Sequence, residues 1–352
     1  MKRTLIVLAL CLVLAAGCAR TDAKALYESG AEALEDGRYE EAQSFFEQVI
    51  EKREFEAEAY RGLGLSYLWR ADFADACIAF ERTLLYCDDK DADFIRDVNL
   101  YLAYCRSHHA ESGKAMEIYT SMLKKAADPE VLFLRGRLLM DQGDEAAARA
   151  DFDKAVSLSS DYDLYISIYQ IYNARKKDAD GVDFLEKALE IAEQTDDAYY
   201  NRGLVYYYLQ NYGEARSQLL EALKADPDDP DALLLLGRVY LAMNDVADAR
   251  SLFRSHVGED RPDGPDPVIA AAYNGLALCD MAEKNYDSAM ENVRLGLEAA
   301  DEGTQQALLF NELVVYEYQQ DWPAARRCAA AYVSRYPSDE AGIRESEFLM
   351  SR

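Results

Sequence analysis

Residues 197–227 read DAYYNRGLVYYYLQNYGEARSQLLEALKADP, and their spacing decides the fold. Ala215 is followed one helical turn later by Leu219 and preceded twelve residues earlier by Gly203. A small residue with a large apolar one a turn away lets two helices approach closely and then interlock. The pattern recurs. Stepping from Ala42 reaches Ala76, Ala115, Ala148, Gly181, Ala215, Ala249, Ala289 and Ala325, at intervals of 34, 39, 33, 33, 34, 34, 40 and 36 residues. Four residues after each stand Phe46, Phe80, Tyr119, Phe152, Leu185, Leu219, Phe253, Val293 and Ala329. About twelve residues before most of them lies another small residue: Gly30, Gly64, Ala103, Gly136, Gly203, Gly237 and Ala277. A near-constant period of this length marks a two-helix unit repeated nine times and stacked on its neighbours.

With that spacing the chain resembles the tetratricopeptide repeat family over roughly residues 23–337. Gly203, Tyr206, Tyr212, Ala215, Ala222 and Pro227 occupy that family's columns, and Tyr199 stands where its consensus prefers tryptophan. The resemblance implies an all-α fold: a right-handed α-solenoid of about nine two-helix repeats with a C-terminal capping helix. The cap is read from SDEAGIRESEFLMSR (338–352), which opens with a Ser-Asp start signal. Three departures predict irregularity in unit five and at the ends. Gly181 replaces the alanine, Tyr169 replaces the small residue of its unit, and Leu313 does so in the last.

Two insertions interrupt the pitch. One lies near YCDDKDADFIRD (86–97) and adds five residues; the other is GEDRPDGPDP (258–267). Proline and glycine make the second a loop, read either as a hinge or as a surface insertion. The expected layout is a leader at 1–17, a cysteine and short tether at 18–24, about seven repeats at 25–257, the loop at 258–267, and two further repeats with the cap at 268–352.

The chain opens MKRTLIVLALCLVLAAGCAR. Lys2 and Arg3 precede an apolar run from Leu5 to Ala16, whose twelve residues rise only about 18 Å as a helix, short of a bilayer core of roughly 30 Å. A basic start, a short apolar run and small residues describe an export signal. LAAGC resembles the lipobox of bacterial lipoproteins, with Ala15 where leucine is more usual. That resemblance implies acylation of Cys18, removal of residues 1–17 and a bacterial envelope location on the extracytoplasmic side of a membrane. Ordinary secretion with cleavage elsewhere is the alternative.

Of 352 residues, 50% are hydrophobic, enough for a large core, and the formal charge is −27. So acidic a chain is a poor ligand for nucleic acid or for an anionic leaflet through charge. The excess reads as a solvated, self-repelling surface, with a basic partner as the sharper alternative. Beyond the leader, Cys77, Cys87, Cys105, Cys279 and Cys328 form no CxxC pair and read as buried thiols. A Cys87–Cys105 bridge is compatible with an oxidising compartment but is not deducible from spacing.

Six tyrosines crowd residues 199–212. Tyr199, Gly203 and Tyr206 share one helical stripe, and Tyr212 sits in the turn column with Tyr39, Phe73, Tyr286 and Trp322, so these tyrosines read as structural. Tyr200, Leu204 and Tyr207 form the next stripe, with Tyr208 further round. In the resembled family that stripe lines a concave peptide-binding groove. Carrying the register along adds Trp69, Tyr101, Tyr104, Phe133, Arg137, Asn201, Leu234 and Arg238 as candidate groove residues. Tyr, Trp and Arg dominate binding hot spots, yet packing between repeats buries the same stripe equally well. The family's carboxylate clamp is not expected, since Asn201 alone matches it.

No motif for catalysis or phosphate binding is present. His108 and His109 point to different faces of a helix, so with His256 they make a poor metal set. DDKDAD (88–93) lacks the glycine and distal glutamate of a calcium loop. Acid pairs such as Asp88-Asp89 and Asp228-Asp229 sit at helix junctions and read as caps. The expectation is therefore not an enzyme, with no cofactor and no metal. It is a lipid-anchored scaffold that docks a protein or peptide partner. The alternative is an assembly subunit of an envelope complex, of outer-membrane insertion or pilus type. A cell-wall glycan-binding protein or enzyme stands behind both.

Overall fold

The computed structural model describes residues 22–87, 91–191, 196–258, 264–337 and 339–351, and among them are nineteen α-helices and no strand. In order these are α1 (Ala23–Glu35), α2 (Tyr39–Glu51), α3 (Glu56–Trp69), α4 (Phe73–Tyr86), α5 (Ala92–His108), α6 (Ser112–Lys125), α7 (Pro129–Asp141), α8 (Glu145–Val156), α9 (Tyr162–Asn173) and α10 (Asp178–Ala188). There follow α11 (Asp196–Tyr208), α12 (Tyr212–Ala225), α13 (Pro230–Ala242), α14 (Val246–Arg254), α15 (Pro267–Ala282), α16 (Tyr286–Ala299), α17 (Glu302–Tyr318), α18 (Trp322–Arg335) and α19 (Glu340–Met350). They form nine pairs plus one extra helix, the expected all-α solenoid arrangement. Two compact units divide between Ala155 and Val156. The first holds the four pairs from α1 to α8; the second holds five pairs and α19.

The leader and Cys18 lie outside the described residues. Ala23 and Lys24, expected in the short segment after Cys18, belong to α1, which Asp22 caps. The first insertion adds length to α5, which reaches 17 residues where most helices have 11 to 14. Pro267 of the second insertion is the first residue of α15, with Asp266 as its N-cap.

Within each pair one turn geometry recurs. Gly37, Ala71, Ala110, Gly143, Lys176, Gln210, Asn244, Lys284 and Gln320 all have φ between 57° and 81°. The N–H of the following residue reaches back five residues, from Arg38 to the Ala33 carbonyl, from Asp72 to Tyr67 and so on to Asp321 and Tyr316, at 2.8–3.0 Å. This left-handed close satisfies carbonyls that the ending helix leaves unpaired. In eight of the nine turns that same residue is the N-cap of the next helix. Connections of three residues, four in the fifth pair, suit an antiparallel helical hairpin. Just two of the nine left-handed residues are glycine.

Packing between helices follows the small-and-large pattern. All nine small residues from Ala42 to Ala325 are buried, as are the residues four further on. Phe46 of α2 lies so close to α1 and α3 that a Cβ on Gly30 would stand 2.9 Å from its ring, and one on Gly62 2.4 Å. Phe253 of α14 is held likewise, at 1.9 Å from a Cβ on Gly237 of α13 and 2.2 Å from one on Gly275 of α15. Each ring thus joins its own pair to the next. Phe80 against Gly64, Phe152 against Gly136 and Leu219 against Gly203 repeat the contact within their pairs.

The expected irregular units are instead regular helices that carry a large residue on the first helix. In pair five the large residue, Tyr169, is on the first helix, and its Cδ2 would stand 3.2 Å from a Cβ on Gly181 of the second. In pair nine Leu313 is placed likewise, inside one buried cluster with Ala325, Ala329 and Leu349. The 258–267 loop does not separate two cores either. Leu233, Ala249 and Phe253 before it share a buried cluster with Ala272, Leu276 and Cys279 after it.

Arginine–carboxylate pairs reinforce the joins. Arg61 of α3 donates to Asp97 of α5 at 2.7 Å, and Arg250 of α14 reaches the buried Asp280 of α15 at 2.8 Å. Arg96 of α5 donates to Asp128, the N-cap of α7, at 2.7 Å. Asp128 also accepts from the N–H groups of Glu130 and Val131. Burial opposes its ionisation, but the Arg96 bond and these N–H groups outweigh it and hold the carboxyl below its usual range.

Gly237→Ala drives a methyl into the Phe253 ring and should cost about 1–3 kcal/mol. Gly213→Ala, where a Cβ meets nothing within 4 Å, should be neutral or stabilise by about 0.5 kcal/mol. Urea midpoints decide, and equal effects would refute the wedge. A lowered folded pKa contributes stability above the unfolded value of about 3.9 and loses it as pH falls through the folded value. The Tm gap between wild type and Asp128→Asn should therefore be full above about pH 5 and close progressively below about pH 4. A gap that stays constant into strong acid rules this out.

Candidate functional site

Helix α11 carries the tyrosine-rich stretch through the second unit. Tyr199, Tyr200, Tyr206, Tyr207 and Tyr212 all pack against the core of Ala215, Leu219, Leu235 and Leu236, while Tyr208 joins the neighbouring core around Tyr169 and Leu185. The sequence divides the six into buried and groove-facing sets; the structure leaves every one half-buried. The tyrosines read as structural are therefore half-buried like the groove candidates. A tyrosine at a helix-pair interface buries its ring and keeps its hydroxyl near solvent, which erases the distinction.

Around Tyr200 the wall opens into a recess of about 240 Å³, lined by Tyr200 and Asn201 of α11, Ala222 and Ala225 of α12, Asp226, Asp229 and Asp231. Asp229 caps α13 through the N–H groups of Asp231 and Ala232, at 2.9 and 3.1 Å. Burial, then the charges of Asp231 and Asp229, push the Tyr200 phenol up to about 12. It stays a neutral hydrogen-bond donor across the physiological range. The three aspartates are the part of this site that the sequence reading missed, because ADPDDPD (225–231) accounts for itself as capping residues.

The other candidates of this unit spread over several surfaces. Leu204 bridges the two cores. The Tyr207 ring lies 5.9 Å from both Tyr208 and Tyr212, and Gln170 donates to the Tyr208 hydroxyl at 2.9 Å. Leu234 packs toward the Phe253 cluster, and Arg238 is exposed.

In the first unit most candidates are occupied by packing. Tyr101 stacks on Phe80 with ring centroids 5.5 Å apart, and the Arg61 guanidinium sits 5.8 Å from its centroid. Tyr104 lies against Phe73 and His108, and Phe133 against Phe152. Arg137 is half-buried, whereas Trp69 is 51% exposed. A wider recess of about 410 Å³ lies elsewhere in this unit, with Leu84, Leu102, Ile118 and Met122 lining it beside Arg106, Lys114 and Lys125. Sequence periodicity gave no sign of it. It opens between helices, beside the lengthened α5. Among the described residues no cluster of His, Cys, Asp and Glu is arranged to hold a metal ion.

Alanine substitution should sort these residues. Tyr101→Ala removes a stacked, half-buried ring and should cost about 2–4 kcal/mol, against under about 0.5 kcal/mol for Trp69→Ala or Arg238→Ala. Chemical denaturation of the three variants is the check. A large loss at Arg238 would show that it is structural.

One tetratricopeptide repeat family model matches residues 27–92 and 200–267, and a second such model matches residues 129–162. The chain is 21% identical over 194 residues to the BBSome complex member BBS4 homolog of Drosophila melanogaster, a match covering 55% of this chain and 38% of that protein. It is 27% identical over 152 residues to the mitochondrial import receptor subunit TOM70 of Saccharomyces cerevisiae, covering 43% of this chain and 24% of the relative. The chain thus spans under two fifths of either relative's length. The crystal structure of yeast Tom70 is similar with a TM-score of 0.46 at 16% identity, over 94% of this chain and 82% of that one. The pitch of the helix pairs, the wedge that joins them and the family matches establish that this chain carries tetratricopeptide repeats in an all-α solenoid fold.

Proposed function

We propose that this chain is a non-catalytic scaffold that docks a protein or peptide partner while lipid on Cys18 holds it at the outer face of a bacterial membrane. Tetratricopeptide repeats form protein–protein interaction scaffolds, which is the general part of the reading. The observation that carries the rest of the docking surface is the half-exposed stripe of α11. Tyr200, Asn201, Leu204 and Tyr207 offer ring area and donors beside an open recess. Tyrosine gives large contact area at low cost in rotamer entropy. The matched relatives are a member of a complex and a receptor subunit, and both roles accord with docking. The anchor rests on LAAGC alone.

A second reading, an assembly subunit of an envelope complex, is favoured by α4. Ile78 and Leu85 lie two turns apart on one face of it and are 56% and 66% exposed. An apolar face of that kind suits a permanent neighbour.

Photoreactive residues placed at Tyr207 and, separately, at Ile78 in living cells distinguish the two. A discrete protein adduct at Tyr207 supports the α11 surface, and an adduct at Ile78 alone supports the assembly reading. No adduct at either, with the chain folded and membrane-bound, defeats both. The anchor is tested by fractionation: the parent chain should pellet with membranes and Cys18→Ser should not. Equal partitioning refutes lipidation.

A further inference from the structure

Two cysteines that no sequence spacing connects meet in the core of the first unit. Cys77 lies on α4 and Cys105 on α5, exposed by only 6% and 0%. Both belong to one buried cluster with Leu65, Phe80, Val98 and Leu102, where the two thiols lie close enough for each to shift the other's ionisation. The register explains the meeting. Cys77 follows its repeat alanine, Ala76, by one residue, and Cys105 follows the small residue of the next unit, Ala103, by two. One repeat later the corresponding residues are Met116 and Leu138, which pack in one cluster in the same way. This is the seam where the second helix of one pair meets the first helix of the next. The Cys87 thiol, placed as near in sequence, donates to the Leu84 carbonyl at 3.4 Å.

We propose that Cys77 and Cys105 are a latent disulfide, which on oxidation staples the second helix pair to the third. The oxidant is a disulfide, either a small molecule such as oxidised glutathione or a protein. The Cys77 thiolate attacks one sulfur of that disulfide, forms a mixed disulfide and expels a thiolate. The Cys105 sulfur then attacks Cys77, loses its proton and expels the second thiolate. Two thiols are oxidised, one disulfide is reduced to two thiols, and the protons pass to the departing thiolates. Written here with Cys77 leading, the exchange balances equally with the two cysteines interchanged. With both sulfurs buried, exchange takes place while this seam is open, during folding or local opening. The crosslink forms in the cell only where surroundings are oxidising, as the export reading supplies. Its test needs neither lipid nor partner, so the two ideas fail separately.

The full chain is unfolded and refolded in excess oxidised glutathione, remaining thiols are blocked with iodoacetamide, and the digest is read by mass spectrometry. The expected product joins the Cys77 and Cys105 peptides, about 2 Da lighter than the two thiol peptides together, with Cys279 and Cys328 alkylated. Cys105 joined to Cys87, or Cys77 and Cys105 both alkylated, overturns the proposal. The oxidised chain should also melt ~5 °C above the same chain reduced. That difference should vanish in Cys105→Ser. If this variant does not fold, the comparison of oxidised and reduced parent chain decides alone, and equal melting points count against the staple.

Discussion

A ring pressed against bare backbone is the contact on which this architecture depends. Phe46 and Phe253 each fill a slot with glycine on both sides, so two successive helices approach closer than any side chain would allow. The ring supplies the apolar burial that a two-helix unit lacks by itself. Because the same residue touches its own pair and the next, folding of one unit and stacking of two are a single event at that position. Where the first helix carries the large residue, as Tyr169 does against Gly181, a slot forms on the second helix and the fit survives. The constraint is complementarity at one layer, and it does not dictate which helix bears the ring.

Charge is organised around that layer and does not compete with it. The chain holds 65 acidic and 38 basic residues, an imbalance that is costly to fold unless acids find local partners. Many do so as helix caps. Asp128, Asp161, Asp229, Asp266, Asp301 and Asp339 each accept at least one backbone N–H at the start of a helix. Arg61, Arg96 and Arg250 then tie a carboxylate on the following pair, next to the apolar seam. Asp280 shows how fully such a group must be satisfied once buried. It takes Arg250 on one oxygen, with Ser288 and Asn292 on the other.

The repeat was legible because its signal is volume at a fixed period, and volume is what the letters encode most directly. The nine pairs, their order and the extra helix at the end all follow from it. The turns were less visible. A left-handed residue at each close is required by the backbone, yet Ala71, Lys176 and Gln320 occupy that position as readily as Gly37, since the surrounding bonds enforce it. The candidate site was legible only in part. Its aromatic stripe follows from helical periodicity, but a stripe one residue from the core is half-buried on either side, as Tyr206 and Tyr207 show. The aspartates of the recess carry two roles at once, and the capping role alone was apparent. Cys77 and Cys105 are brought together by the register of two repeats, a relation visible only after the repeats are aligned in space.

The lengthened helices show what a single fixed layer leaves free. Helix α5 absorbs an insertion by growing to 17 residues, and α15 and α17 reach 16 and 17, while the seams beside them keep their buried clusters. Material added beyond the ring-and-glycine layer goes into helix ends and the loops that leave them. Interior and exterior can therefore diversify at different rates. Such a chain can acquire new outward surface, one insertion at a time, without reopening the question of how it folds.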